Sequence, residues 1–311
     1  MTAKVSVVIP AHNAAAFIGG TLESVLSQTF SDLEVVVVDD GSADGTRQVV
    51  AGAGPPVVLH AGPRRGVSAA RNEGVRHSRG DYIAFMDHDD LWEKDKVRRQ
   101  VELLDADPAA GLVFTQAREM RAAGAPSGAP AEEVFPVIED PASFLGRAYE
   151  NLAHWNYIPM SSVMVRRSAL PGLDEGAGPF DPRYRLAEDW DLWLRIAAGH
   201  RIAFIPEPLT RYVIRPGRAT ERMADLRLED IEIFERELRS CPTLRASDPG
   251  RCRDTLRRLN DEAAYWLLRE GRRAEARRCL RRAWRLMPLS IKPLAKIVAS
   301  ALAAGTASRR S

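Results

Sequence analysis

Three short runs limit what this chain can fold into. VSVVIP (5–10), LEVVVV (33–38) and YIAFM (82–86) are near-continuously apolar and rich in β-branched residues. A strand with one face in water alternates polar and apolar side chains. A strand that hardly alternates is covered on both faces, as in a parallel sheet between layers of helix. The intervening segments supply the helices. In AHNAAAFIGGTLESVLSQTF, Phe17, Ile18, Leu22 and Val25 lie near helical spacing; GVSAARNEGVRHSRG turns Ala69, Ala70 and Val75 inward and has Gly80 near its end. PVVLHA (56–61) reads as a weaker strand. The βαβαβ alternation predicts an open, mostly parallel α/β sheet flanked by helices.

In such sheets ligands bind beyond the carboxyl ends of the strands. The polar residues collect there: Pro10–Asn13, Asp39–Ser42 and Asp87–Asp90. Each alone is an ordinary turn or helix cap; three together converge on one sheet edge. No GxGxxG follows the first strand and no GxxxxGK[ST] occurs, so no glycine loop cradles phosphate. Carboxylates crowded as in Asp87-His88-Asp89-Asp90 repel one another unless a cation sits among them. Asp87-x-Asp89 suits Mg²⁺ or Mn²⁺, hard ions that take one or two carboxylates and fill their shell with phosphate oxygens and water. His88 points away from both if the strand pleat continues.

SVVIPAHN, VVVVDDGSADGT, GVSAARNEG, DYIAFMDHDD and AEDWDLWLRI stand in an order and spacing that resembles family 2 glycosyltransferases of the GT-A fold, over about residues 4–215. The resemblance implies a Rossmann-like nucleotide-diphospho-sugar transferase. It would be an inverting enzyme with a nucleotide-diphosphate sugar donor, Mg²⁺ or Mn²⁺ as cofactor and a glycan or glycolipid acceptor. It further implies that Pro10, Ala11 and Asn13 line the nucleotide, that Asp39 accepts from the base with Asp40 nearby, and that Arg71 sits near the base and Asp39. Asp87 would face the ribose or metal and Asp89 would ligate the metal, while Asp90 caps the next helix. His12 and Arg215 depart from the family pattern, in which an aromatic and a histidine are common.

The segment 116–136, rich in Ala, Gly and Pro, reads as a surface excursion; PASFLGRAYEN looks helical and Ser161–Val165 a strand. AEDWDLWLRIAAG has the stripe of an amphipathic helix, and Glu188, Asp189 and Asp191 complement its dipole. An inverting displacement needs one carboxylate to take the proton of the attacking hydroxyl; the resemblance assigns that to Asp189, with Glu188 as a neighbouring or acceptor contact. Trp155 and Trp190 are candidates to stack on sugar faces or to pack in the core. Arg215, with Arg211 and Tyr212, is a candidate for the diphosphate. A sugar nucleotidyltransferase and a non-catalytic nucleotide-sugar-binding scaffold remain alternatives.

The domains expected are 1–217, divided into a nucleotide-sugar half (1–115) and an acceptor half (116–217), and a helical appendage, 218–311. Gly271, Ala276, Leu280, Ala283 and Pro288 fall as in a single tetratricopeptide-like hairpin. One helical face carries Ala276, Cys279, Leu280, Ala283, Trp284 and Met287; the other carries Arg277, Arg278, Arg281, Arg282 and Arg285. The net charge of +2 hides an asymmetry: residues 251–311 hold 16 Lys+Arg against 5 Asp+Glu, the rest 28 against 37. That points either to a docked helix with a solvated face or to peripheral contact with an anionic membrane. Beyond charge no motif suggests nucleic acid. Three unpaired cysteines, no signal peptide and no apolar run of the ~18 residues that span a bilayer lead to an expected cytoplasmic location, at most peripheral at the inner membrane face.

Overall fold

The computed structural model describes residues 3–62, 64–121, 133–173, 176, 178–214 and 222–287. Contacts divide the chain into two units, Met1–Arg218 and Ala219–Ser311. The first unit runs β1 (Val5–Ala11), α1 (Ile18–Leu26), β2 (Leu33–Asp39), α2 (Thr46–Gly52), β3 (Val57–Ala61), α3 (Val67–His77), β4 (Tyr82–Phe85), β5 (Leu91–Trp92), α4 (Lys96–Ala106), β6 (Ala110–Arg121), β7 (Val134–Phe135), α5 (Pro141–Leu145), α6 (Ala148–His154), β8 (Val163–Arg166), α7 (Glu188–Ala197) and β9 (Arg201–Ile214).

Among the described residues these strands form one sheet in the order β3-β2-β1-β4-β8-β6-β9-β5, with β7 on β6. The four βα-derived strands β3, β2, β1 and β4 are parallel. β8 runs antiparallel to both β4 and β6, while β6 and β9 pair in parallel. The apolar strands are covered on both sides, as their composition requires. Val5, Val7, Ile9, Val35 and Val37 join the cluster that holds Ile18, Leu22 and Val25 of α1, whereas Val36 and Val38 cluster with Ala70 of α3. The second helix layer comes unusually close: a Cβ added to Gly74 would lie 2.4 Å from Val8 Cγ1. Only a residue without a side chain lets α3 lie this near the sheet.

The two ends of segment 116–136 are strands, while residues 122–132 lie outside the described residues. β6 continues through Arg121, and β7 returns beside Ala117 and Arg118. Strand pairing with β9 over this length supplies the hydrogen bonds that a loop would lack. The strand expected at Ser161–Val165 starts later, at Val163, because Met160–Ser162 is a 3-10 turn.

The second unit consists of α8 (Met223–Ser240), α9 (Pro242–Ser247), α10 (Pro249–Arg269) and α11 (Arg273–Leu286). α8 packs on α10 and α10 on α11. The α10–α11 hairpin turns at Gly271, whose φ of 76° lies in the left-handed region that glycine tolerates. Ala276, Cys279, Leu280 and Ala283 are buried as their spacing predicts; Trp284 and Met287, expected with them, are 37% and 42% exposed. Both lie C-terminal to the last buried turn, Trp284 a quarter turn off the buried stripe. Pro288 lies outside the described residues.

Candidate active site

Parallel register brings the three polar clusters to one edge. Ala11 is paired with Asp39, and Val8 with both Val36 and Phe85, so the chain leaves β1, β2 and β4 side by side. The first two loops are stitched together. Asn13 N–H donates to Ser42 Oγ (2.9 Å), and Asn13 Oδ1 accepts from Ala43 N–H (2.9 Å). Asn13 adopts φ 50°, which asparagine tolerates better than most residues. It is exposed, as is His12, whose ring nitrogen its amide meets at 3.1 Å. Pro10 and Ala11 are buried, and the Ala11 carbonyl accepts from Asp40 N–H (2.8 Å).

Asp39 is fully buried; its Oδ1 accepts from Ser42 N–H (3.0 Å) and its Oδ2 pairs with Arg47. Burial alone would raise this carboxyl, but the Ser42 and Arg47 hydrogen bonds outweigh it and hold the group below its ordinary range. Asp40 grips the loop before α3, accepting from Arg65 N–H (3.1 Å) and Gly66 N–H (2.8 Å).

Arg71 does not pair with Asp39. From α3 it reaches across the end of β4, pairing with Asp87 Oδ1 (2.7 Å) through Nη2 and with Glu188 Oε1 through Nη1. Arg71 is 3% exposed; burial works against its charge, yet the two carboxylates raise its affinity for the proton. Asp39 is instead paired with Arg47, on the helix that follows it. Arg71 thus links the end of β4 to the first residue of α7.

Asp189 follows directly. It is half-buried, and its Oδ1 accepts from Asn156 Nδ2 (3.1 Å) and Trp190 N–H (2.6 Å). Burial first, and the neighbouring Glu188 second, push its carboxyl well above the ordinary aspartate range. Glu188 is buried, and its Oε2 has no hydrogen-bond partner among the described residues.

The Asp87–Asp90 turn is held from beneath by Ser161. Its Oγ accepts from Asp87 N–H (3.0 Å) and donates to Asp90 Oδ2 (2.6 Å). Asp90 does not cap α4, whose N-cap is Asp95. It is fully buried, and its Oδ1 accepts from Val213 N–H (3.0 Å). His88 Nδ1 lies 3.2 Å from the Pro10 carbonyl. Asp89 is buried at 8% exposure. Among the described residues no three His, Cys, Asp or Glu side chains form a ready-made metal cage. Asp87 and Asp89, two oxygen donors on alternate residues, fit an ion whose other positions come from phosphate and water.

Trp190 is a core residue: it is 2% exposed and donates from Nε1 to the Leu152 carbonyl (2.6 Å), so it presents no face to a sugar. Trp155 is 71% exposed and adjoins Asn156. Arg215 lies outside the described residues. Three partners had escaped the sequence reading: Arg47, Asn156 and Ser161. Asn156 stands beside Trp155 in HWNY, and an amide next to an exposed aromatic is the one local signal that could have found it. Ser161 and Arg47 act through contacts that their neighbours do not announce.

The family model for glycosyl transferase family 2 matches residues 6–169. The amylovoran biosynthesis glycosyltransferase AmsB of Erwinia amylovora is 30% identical over 219 residues, covering 67% of this chain and 68% of that protein. Among solved structures, S. aureus TarS 1–349 in complex with UDP-GlcNAc is similar with a TM-score of 0.59 at 18% identity, covering 96% of this chain and 89% of that one. The mannosyltransferase PcManGT from Pyrobaculum calidifontis, in complex with GDP-Man and Mn²⁺, has a TM-score of 0.59 at 22% identity, with coverages of 100% and 81%. These two likenesses speak for a GT-A-like fold.

Proposed function

The chain belongs to glycosyl transferase family 2, and from that premise we propose that it moves a sugar from a nucleotide diphosphate to a hydroxyl acceptor with inversion, in a reaction that needs Mg²⁺ or Mn²⁺. The observation that carries the reading is the Arg71 bridge. One buried guanidinium joins Asp87, at the end of β4, to Glu188, the neighbour of Asp189. Donor and acceptor functions are therefore wired to a single cation.

Asp189 acts as the general base. Its raised proton affinity suits it to take the acceptor hydroxyl's proton while Asn156 fixes one of its oxygens. The acceptor oxygen forms its bond to the anomeric carbon as the bond to the diphosphate oxygen breaks on the opposite face, which inverts that centre. Asp39, buried and held ionised by Ser42 and Arg47, accepts from the base of the nucleotide. Pro10, Ala11, Asn13 and Asp40 shape the loops around it. Asp87 and Asp89 hold the divalent cation, which when bound neutralises charge on the leaving diphosphate. Trp155 offers an exposed ring for an acceptor sugar.

AmsB is named for amylovoran biosynthesis, which favours a role in polysaccharide assembly over one in glycolipid assembly. The sugar nucleotides bound by the two structural neighbours, UDP-GlcNAc and GDP-Man, illustrate the donor class. We take residues 1–217 as the catalytic domain, working in the cytoplasm, and 218–311 as an appendage. Thermal-shift titration with UDP, GDP and dTDP, with and without Mn²⁺, tests the donor half. One nucleotide should stabilise the protein and do so more strongly with the ion. Stabilisation by none of them, or the same shift without the ion, contradicts the reading.

A further inference from the structure

The turn Asp87–Asp90 carries three carboxylates, and the last of them is withdrawn from solvent altogether. Asp90 is fully buried. Both of its oxygens are engaged inside the protein: Oδ1 accepts from Val213 N–H of β9 (3.0 Å) and Oδ2 from the Ser161 hydroxyl (2.6 Å). Burying a carboxylate is costly, and an apolar side chain of similar size would pack as well. What the charge does is visible in Ser161.

A hydroxyl has one proton. Ser161 gives it to Asp90, so its oxygen is left as an acceptor, and Asp87 N–H donates to it (3.0 Å). An ionised acceptor strengthens such a bond, and each bond of a chain polarises the next. Asp90 thus fixes Ser161, and Ser161 fixes the backbone of Asp87. Asp90 N–H closes the turn on the Asp87 carbonyl (3.3 Å). Thr21 of α1 adds another tie, its Oγ1 lying 2.9 Å from the carbonyl oxygens of both His88 and Asp90. The Ser161 carbonyl accepts in turn from Trp92 Nε1–H (2.7 Å). Contacts from α1, β9 and the 3-10 turn before β8 thereby fix Asp87, His88 and Asp90, the residues around Asp89.

We propose that Ser161 and Asp90 are positioning residues for the divalent cation. They hold Asp87 and Asp89 in the arrangement the ion needs before it binds, and neither is itself a ligand. The inference rests on the metal-dependent transferase reading given above. Two protein carboxylates supply few bonds, and Mg²⁺ tolerates little departure from octahedral geometry. Ordering the pair in advance therefore sets how well the ion is held.

Calorimetric titration of the full chain with UDP, GDP and dTDP across a Mn²⁺ series tests it. The quantity read is the Mn²⁺ concentration that gives half of the ion-dependent gain in nucleotide affinity. Ser161→Ala and Asp90→Asn should each raise it by on the order of tenfold, while saturating Mn²⁺ restores nucleotide affinity to near the wild-type value. The double variant should be no worse than either single one, since both break the same chain of bonds. Thr21→Val keeps the volume and removes only the hydroxyl; it should raise the value as well, and it decides the question if Ser161→Ala or Asp90→Asn fails to fold. Val101→Ala separates positioning from stability. It opens a cavity beside the core face of α4, so it should melt earlier than the wild type and leave the half-saturating concentration unchanged. An unchanged value in Ser161→Ala and Asp90→Asn, additive losses in the double variant, or an equal loss in Val101→Ala overturns the inference alone. Absence of any Mn²⁺-dependent gain in the wild type removes the metal reading itself, and this inference with it.

Discussion

Asn156 and Asp189 sit 33 positions apart and share one hydrogen bond. That bond favours the ionised form, so it lowers a proton affinity that burial and Glu188 raise. Asn156→Ala should therefore raise the Asp189 pKa further and move the acid limb of the kcat–pH profile upward. Turnover at neutral pH should drop roughly tenfold and recover at alkaline pH. A uniform loss at every pH would mean that Asn156 only shapes the site. Trp155 and Trp190, the sequence neighbours of Asn156 and Asp189, separate by burial. Trp190→Ala should cost about 3–5 kcal/mol in urea denaturation, whereas Trp155→Ala should leave stability within about 0.5 kcal/mol and raise the KM for acceptor. Sequence alone could not divide them, since each stands beside polar residues and either could face a sugar. Only the Leu152 carbonyl, reached through the fold, decides it. Asp90 was misread for the same reason: its partner, Val213 N–H, lies 123 positions away. Arg71 stood out in the sequence, but its pairing with Asp87 and Glu188 joins residues 16 and 117 positions away, which no local pattern announces.

At the level of elements, the apolar strands were legible because burial on both faces leaves a compositional trace. The long β6–β9 pairing was not, since backbone hydrogen bonds hold it and its Ala- and Arg-containing sequence lacks that trace. Helix α4 carries a test that no motif suggested. Lys96 is fully buried, with its ammonium 3.9 Å from the centre of the Trp92 ring and 2.8 Å from Gln100 Oε1. Burial holds its pKa well below the ordinary lysine value. The unfolded chain then keeps this proton to higher pH than the folded one, so wild-type stability should climb between the two values. Measured against Lys96→Met, the wild type should gain steadily as the pH rises towards the ordinary lysine value of about 10; a pH-independent difference would show that the amine titrates normally. Gly74 makes a second test. Gly74→Ala places a methyl against Val8 and should destabilise by about 1–3 kcal/mol with an unchanged denaturant slope.

For the molecule as a whole, three parallel strands bring loops to one edge, and a buried arginine ties that edge to the start of α7, at Glu188. On the proposed reading, donor binding and proton abstraction are carried by different side chains, and they should be separable. Asp89→Ala is expected to abolish the metal-dependent part of donor binding, a loss of about 2–4 kcal/mol by titration calorimetry. Asp189→Asn keeps the shape of the side chain and the hydrogen bond from Trp190 N–H, so it should fold and bind donor like the wild type. Donor affinity and turnover of Asp189→Asn, measured on the same preparation, give the most direct test. The expected result is an affinity within about twofold of wild type with turnover reduced by on the order of 10²-fold or more. Loss of affinity and rate in equal measure, or turnover that persists, would contradict the assignment of Asp189 as the base of a transferase.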